Sequence, residues 1–263
     1  MKALCADLLA EYTALAALVE NLTPDQWVAR TAFYSWTPFD EIAHLCFFEQ
    51  AGLLAANDSA AFEQDTKNIL VELAKGVQIS DLARRRLGYL SGPELVAHWR
   101  KQFACLVEKL TVLDSKARLP WYGPSMSVRS FATARLMETW AHGQDIYDLL
   151  GLKRVGTGRL KHIAHLGVTT FGWTFSNRKL AIPELAPHVV LAAPNGSTWA
   201  WNEPSDTEYV RGSAEDFCLL VTQRRHLDDT DLEYGGSSTH AWLSIAQCFA
   251  GPPANGPASG QRG

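Results

Sequence analysis

Apolar residues recur at helical spacing from the start of the chain. Leu4, Leu8, Leu9, Tyr12, Leu15 and Leu18 line one face of a helix over residues 3–20. Thr23-Pro24-Asp25-Gln26 then restarts the chain with a capping threonine, a proline at the first helical position and a polar residue at the third. The same signal recurs at Thr37-Pro38-Phe39-Asp40, ahead of a helix running to about Ala56. Asp40 therefore reads first as a capping carboxylate, with support of His44, one turn on, as the alternative. Residues 61–87 read as irregular helix, Ser91-Gly92-Pro93-Glu94 opens a long helix to about Leu113, and a further one spans about Val128 to Leu150. Four long amphipathic helices in the first part of the chain predict an antiparallel four-helix bundle, where ligands from facing helices can converge on a metal.

The pattern changes after the glycine-rich, basic stretch from Gly151 to Gly158, which marks a domain junction. A helix over 158–177 carries His162 and His165. The apolar runs then shorten to strand length in 189–193 and 199–201, on either side of the turn Pro194-Asn195-Gly196-Ser197. Ala214–Thr222 reads as a helix leading into Arg224-Arg225-His226, and 241–246 as a last one. The expected fold class is α+β: a helical domain over 1–155, a small mixed domain over 156–250, and a Gly/Pro-rich tail, 251–263, expected to be frayed and disordered.

Composition narrows the function classes. With 263 residues, 47% of them hydrophobic, the chain can bury a large core divided between two units. A net charge of -4 supplies no basic field for phosphate backbones, which disfavours nucleic-acid binding. The five cysteines, Cys5, Cys46, Cys105, Cys218 and Cys248, are scattered and form no Cys-x-x-Cys pair, as befits reduced thiols. No signal peptide or membrane span is visible. The expectation is a cytoplasmic protein, monomer or homodimer, acting on a small molecule.

The candidate chemistry lies on the helix over 128–150. Glu138 and His142 are four residues apart, so at 3.6 residues per turn they point the same way and can close on one ion. His44, set among apolar neighbours on its own helix, is the best candidate for a third ligand. Two histidines and one carboxylate leave coordination positions open, as a catalytic site requires. Against this stands the commoner origin of such spacing, which is chance, and of a histidine on an apolar face, which is packing. Asp145 lies about 20° around the helix from Glu138 and could orient a ligand or move a proton, or simply make a salt bridge. Arg224 and Arg225 could bind a carboxylate bidentately or be a surface pair. His162 and His165 suit surface or packing roles better than catalytic ones. The tryptophans, including Trp36, Trp121 and Trp140, suit the core, with a few at a pocket mouth.

The segments Ser35–Leu45 and Glu138–Ile146 resemble the two signature helices of the DinB-like superfamily, and within it the mycothiol-dependent maleylpyruvate isomerase branch. The resemblance implies an N-terminal four-helix bundle that holds a divalent metal through His44, Glu138 and His142. Zinc is the usual ion, with nickel or iron as alternatives. It also implies a C-terminal domain similar to sterol-carrier-protein modules, in which Gly212–Arg225 matches a glycine-led helix ending in arginine. In that register Arg224, beside Arg225, would bind the anionic part of a low-molecular-weight thiol cosubstrate. The stretches Cys218–His226 and Ile245–Pro253 resemble a branch of unassigned activity. The implied activity is that of a thiol-dependent transferase or isomerase. A metal-dependent hydrolase or lyase without thiol, and a non-catalytic metal or small-ligand binding protein, are the alternatives.

Overall fold

The computed structural model describes residues 1–262. The fold is α+β and divides into two compact units, Met1–Leu149 and a second beginning at Leu150. In the first, α1 (Lys2–Val19), α2 (Pro24–Val28), α3 (Pro38–Asn57), α4 (Ser59–Ala74), α5 (Ile79–Leu87) and α6 (Gly92–Val112) precede a small antiparallel ladder. That ladder pairs β1 (Arg118–Leu119) with β2 (Met126–Ser127) and leads directly into α7 (Val128–Leu150). The stretch expected as one irregular helix, 61–87, is two. Gly76, in the left-handed region at φ 84°, closes α4 before Asp81 caps the start of α5.

Leu8, Tyr12 and Leu15 of α1, Ile42, Leu45 and Phe47 of α3, Trp99 and Leu106 of α6, and Phe131 and Leu136 of α7 form the core of this unit. Gly52 lets α3 come close to α7, because a Cβ there would lie 2.6 Å from the Phe131 ring. At the centre of this apolar mass sits one charged node. Glu49, fully buried on α3, accepts hydrogen bonds from Tyr12 (2.7 Å) on α1, Trp99 Nε1 (3.0 Å) on α6, and Arg135 Nε (3.0 Å) and Nη2 (2.7 Å) on α7. Burial works against the Arg135 charge, but Glu49, Tyr12 and Glu138 outweigh it and hold the guanidinium protonated. Burial and then Glu49 push the Tyr12 hydroxyl well above its usual range, so it stays a donor. One carboxylate thus joins four helices through four charge-assisted bonds.

Asp40 takes the capping role. It accepts from the Thr37 backbone N–H (2.9 Å) and hydroxyl (2.8 Å), and is paired with the Arg84 guanidinium of α5. Burial raises its carboxyl, yet Arg84 and Thr37 overcome this and leave it below its ordinary value. A depressed folded pKa stabilises above the unfolded value near 3.9 and loses that contribution as pH falls through the folded one. Asp40→Asn should therefore cost about 1 kcal/mol at neutral pH and much less in acid, measured as chemical denaturation at two pH values.

In the second unit, α8 (Leu160–Thr169) and α9 (Phe171–Asn177) replace the single helix expected over 158–177. The break falls at Thr170, whose hydroxyl donates back to the carbonyls of Leu166 (2.8 Å) and Gly167 (3.0 Å). Four strands follow in the spatial order β4-β3-β5-β6: β3 (His188–Ala192), β4 (Thr198–Trp201), β5 (Tyr209–Ser213) and β6 (Glu233–Gly235). β3 and β4 form a hairpin with Val189 opposite Trp201, β5 runs parallel to β3, and β6 is antiparallel to β5. The helix α10 (Ala214–Val221) packs on α8, where Gly167 leaves room for Phe217 and Val221, and α11 (Ser237–Leu243) follows β6. The latter begins four residues earlier than the expected 241–246 helix, with Glu208 accepting from the backbone N–H of Thr239 (2.7 Å) in its first turn.

Residues 251–262, expected to fray, run back along the second unit instead. Gln223 Nε2 donates to the carbonyls of Ala246 (3.0 Å) and Ala254 (2.6 Å), Arg178 donates to that of Ala254, and Asp229 accepts from the Gly260 N–H (2.9 Å). Side chains of the unit bind the tail's backbone, a pattern that its Gly/Pro-rich composition does not announce. Among the described residues no helix is long and apolar enough to cross a membrane.

Candidate metal centre

The helices α3 and α7 bring His44, Glu138 and His142 together. Glu138 Oε2 lies 3.3 Å from His142 Nε2, one turn along α7, and 3.7 Å from His44 Nε2 on α3. Ligands about 2.1 Å from a tetrahedral ion are about 3.4 Å apart, close to the two separations from Glu138, and the three donor atoms all lie within 4.8 Å of one another. Burial alone would raise the Glu138 carboxyl, but the facing imidazoles of His142 and His44 hold it well below the ordinary carboxylate range. An ionised carboxylate facing two ring nitrogens is a cation-ready donor set.

The two rings are oriented differently. His142 Nδ1 is 2.6 Å from Glu41 Oε2, and with Glu41 as the acceptor Nδ1 is the donor of this contact, which leaves Nε2 to face Glu138. Glu41 is itself fully buried and accepts from the Thr31 hydroxyl (3.1 Å). His44 Nδ1, in contrast, is buried without a hydrogen-bond partner among the described residues, so packing holds its ring. Phe48 meets His44 edge-on (4.8 Å between centroids), and Trp36 leans over it (5.2 Å). Trp36 also lies nearly parallel to the His142 ring, 5.7 Å away, and Phe33 meets that ring edge-on at 5.3 Å.

Asp145 is buried on the Nδ1 side of His142, with Oδ2 4.0 Å from that nitrogen. Glu41 and Asp145 together with His142 form a second group of potential ligands. The Nδ1 proton held by Glu41 leaves the Nε2 group the better donor set of the two. Arg224 and Arg225 lie in the second unit, just past α10. Arg224 is buried, with Nη1 donating to the Thr222 carbonyl (2.8 Å), while Arg225 borders a cavity of about 160 Å³ lined also by His226 and His240. His165 accepts from Trp201 Nε1 (3.3 Å), a packing role. No cysteine is in a disulfide, and all but Cys105 are buried. Trp140 is a core residue, whereas Trp36 is only half-buried.

Glu41, Thr31 and Phe33 escaped the sequence reading. Glu41 had one available signal, its position three residues before His44, but an acidic residue in the first turn of a helix ordinarily answers the helix dipole. Its pairing with His142, 101 positions away, shows only in the fold.

Fold and site thus define an α+β protein of two units whose first unit presents a His-Glu-His group from two facing helices. Residues 8–147 match the family described as the mycothiol maleylpyruvate isomerase N-terminal domain, and the chain belongs to that family. Over 251 residues it is 43% identical to the uncharacterized proteins Rv0036c and MT0041 of two strains of Mycobacterium tuberculosis, covering 95% of this chain and 96% of each of theirs. A crystal structure of the mycothiol-dependent maleylpyruvate isomerase superposes with a TM-score of 0.55 at 12% identity, over 85% of this chain and 89% of that one. A histidine-to-alanine mutant of the isomerase gives 0.56 at 11% over the same shares. At such identity these structures share the fold.

Proposed function

We propose that the protein is a metal-dependent enzyme of the thiol-dependent isomerase or transferase type, acting on a small organic substrate. The observation that carries this reading is the convergence of His44 Nε2, Glu138 Oε2 and His142 Nε2, all within 4.8 Å of one another. Membership of a family named for a mycothiol-dependent isomerase supports the thiol. Two imidazoles and a carboxylate suit zinc, and also nickel or iron. An ion bound there would supply a lowered pKa for a coordinated thiol, so that thiolate is present at neutral pH.

The chain's own residues do the rest. Glu41 keeps His142 oriented with Nε2 toward the other donors, and the rings of Phe33, Trp36 and Phe48 pack against the imidazoles. Asp145 is proposed to move a proton, and Arg224 with Arg225 to hold the anionic part of the thiol in the family's register. We read α1, α3, α6 and α7 as a DinB-like four-helix bundle, a reading supported by their convergence on Glu49, and the second unit as a sterol-carrier-protein-like module. We assign 1–155 and 156–250 to the two domains and place the protein in the cytoplasm.

The test is turnover of activated alkenes such as maleyl compounds by metal-loaded protein with and without mycothiol. Turnover only with thiol supports the proposal, turnover without it would favour a hydrolase or lyase, and none with either would favour a binding protein. Within that assay, Arg224→Ala should raise the apparent KM for the thiol about tenfold, a loss in line with one charge-assisted hydrogen bond, and leave metal content intact. Arg225→Ala is the control. An effect of Arg225 alone would show that the register is off by one.

A further inference from the structure

The loop from Arg30 to Trp36 contains two consecutive non-glycine residues in the left-handed region, Tyr34 at φ 48° and Ser35 at φ 57°. Nothing in their side chains favours that conformation, so the surroundings must impose it. The loop is closed on itself by Thr31 N–H to the Trp36 carbonyl (2.7 Å), Trp36 N–H to the Phe33 carbonyl (2.9 Å) and Arg30 Nη1 to the Ser35 carbonyl (2.8 Å). What the strained turn achieves is the placing of Phe33 and Trp36 against the imidazoles. Trp36 touches both rings, and Nδ1 of His44 has no hydrogen-bond partner among the described residues. The same loop reaches His142 a second time, through the Thr31 hydroxyl on Glu41.

We infer that Trp36 is a positioning residue for His44 and His142, held over their rings by the left-handed turn at Tyr34–Ser35, and that loop 30–36 acts as a clamp on the donor set. The inference rests on the metal-centre reading. A flat aromatic face restricts ring rotation in a way that a flexible aliphatic side chain of similar bulk does not, and residues that orient ligands typically contribute ten- to a hundredfold in metal affinity.

The experiment measures Co²⁺ affinity by chelator competition, together with the Co²⁺ visible spectrum, in the full chain and in Trp36→Leu, Trp36→Phe and His142→Ala. A second readout needs no metal: the Nδ1 proton of His142, bonded to Glu41, should give a slowly exchanging low-field NMR signal. The expected result is that Trp36→Leu lowers Co²⁺ affinity about ten- to a hundredfold, alters the visible band and broadens the NMR signal, while the far-UV circular dichroism spectrum stays unchanged. Trp36→Phe should restore most of each. If Trp36→Leu binds Co²⁺ like the parent while His142→Ala does not, the clamp is overturned and the metal centre stands. If Trp36→Leu and Trp36→Phe are equally weakened, bulk and not the ring face is what matters, and the inference fails. If the parent itself takes up no Co²⁺ at His142, the metal reading fails and the clamp's role in metal binding falls with it.

Discussion

His142→Ala protein, purified without added chelator, should carry almost none of the metal that the parent retains. The other two donors would remain, but they sit on different helices, and a two-ligand site exchanges its ion with buffer. Removing even an outer residue that only orients a ligand costs ten- to a hundredfold in affinity, so deleting the ligand itself should cost at least about a hundredfold. Glu138→Gln is the sharper variant, because it keeps the shape and removes the charge facing the two imidazoles. Elemental analysis of both proteins beside the parent checks the expectation, and full metal occupancy in His142→Ala would falsify the assignment. His142→Ala also takes the ring partner from the buried Glu41, so circular dichroism of both variants accompanies the elemental analysis, and Glu138→Gln, which leaves that contact in place, is expected to fold like the parent.

The second large effect falls on that node. Glu49→Ala leaves the Arg135 guanidinium buried and without its bidentate partner, and also strips Tyr12 and Trp99 of their acceptor. Breaking one side of a buried pair typically costs about 3–5 kcal/mol, and the stranded donors add to this. For a chain of this length such a loss lowers Tm by roughly 10 °C or more, if the protein folds at all. Replacing both partners with apolar residues of similar volume, Glu49→Met with Arg135→Met, should cost less than either single change, because no charge is then left alone. Thermal unfolding of the three variants forms a cycle. A double variant as damaged as the sum of the singles would show that the two residues act independently.

Much of the first unit could be read from local chemistry. Thr23, Thr37 and Ser91 each open a capping box followed by proline, and those boxes begin α2, α3 and α6. The period of α7 alone puts Glu138 and His142 on one face. Where the reading stopped, the cause was interactions without a local signature. Tyr34 and Ser35 adopt positive φ although neither is the glycine or asparagine that announces such a turn. Glu49 and Arg135 look like ordinary surface charges until the fold brings them together across 86 positions. In the second unit, β5 carries an arginine and a glycine in five residues and β6 has only three residues, too few for an alternation to register. The helices α8 and α9 part at Thr170, which propensity does not distinguish from a threonine facing solvent.

The charged node bears on which ion the proposed metal centre would accept. Glu49 lies five positions beyond His44 on α3, and Arg135 three before Glu138 on α7, so the pair fastens the two ligand-bearing helices close to where the donors face each other. The gap between those donors is therefore fixed by a contact that is present whether or not an ion is. At the proposed centre, a small ion with short nitrogen and oxygen bonds would need the least movement of these donors. Calcium, which takes six to eight oxygen ligands at about 2.3–2.6 Å, would have to spread α3 from α7 against that fastening. Size selection at the proposed centre would then belong to the scaffold, and an ion would have little freedom to reshape the site to suit itself.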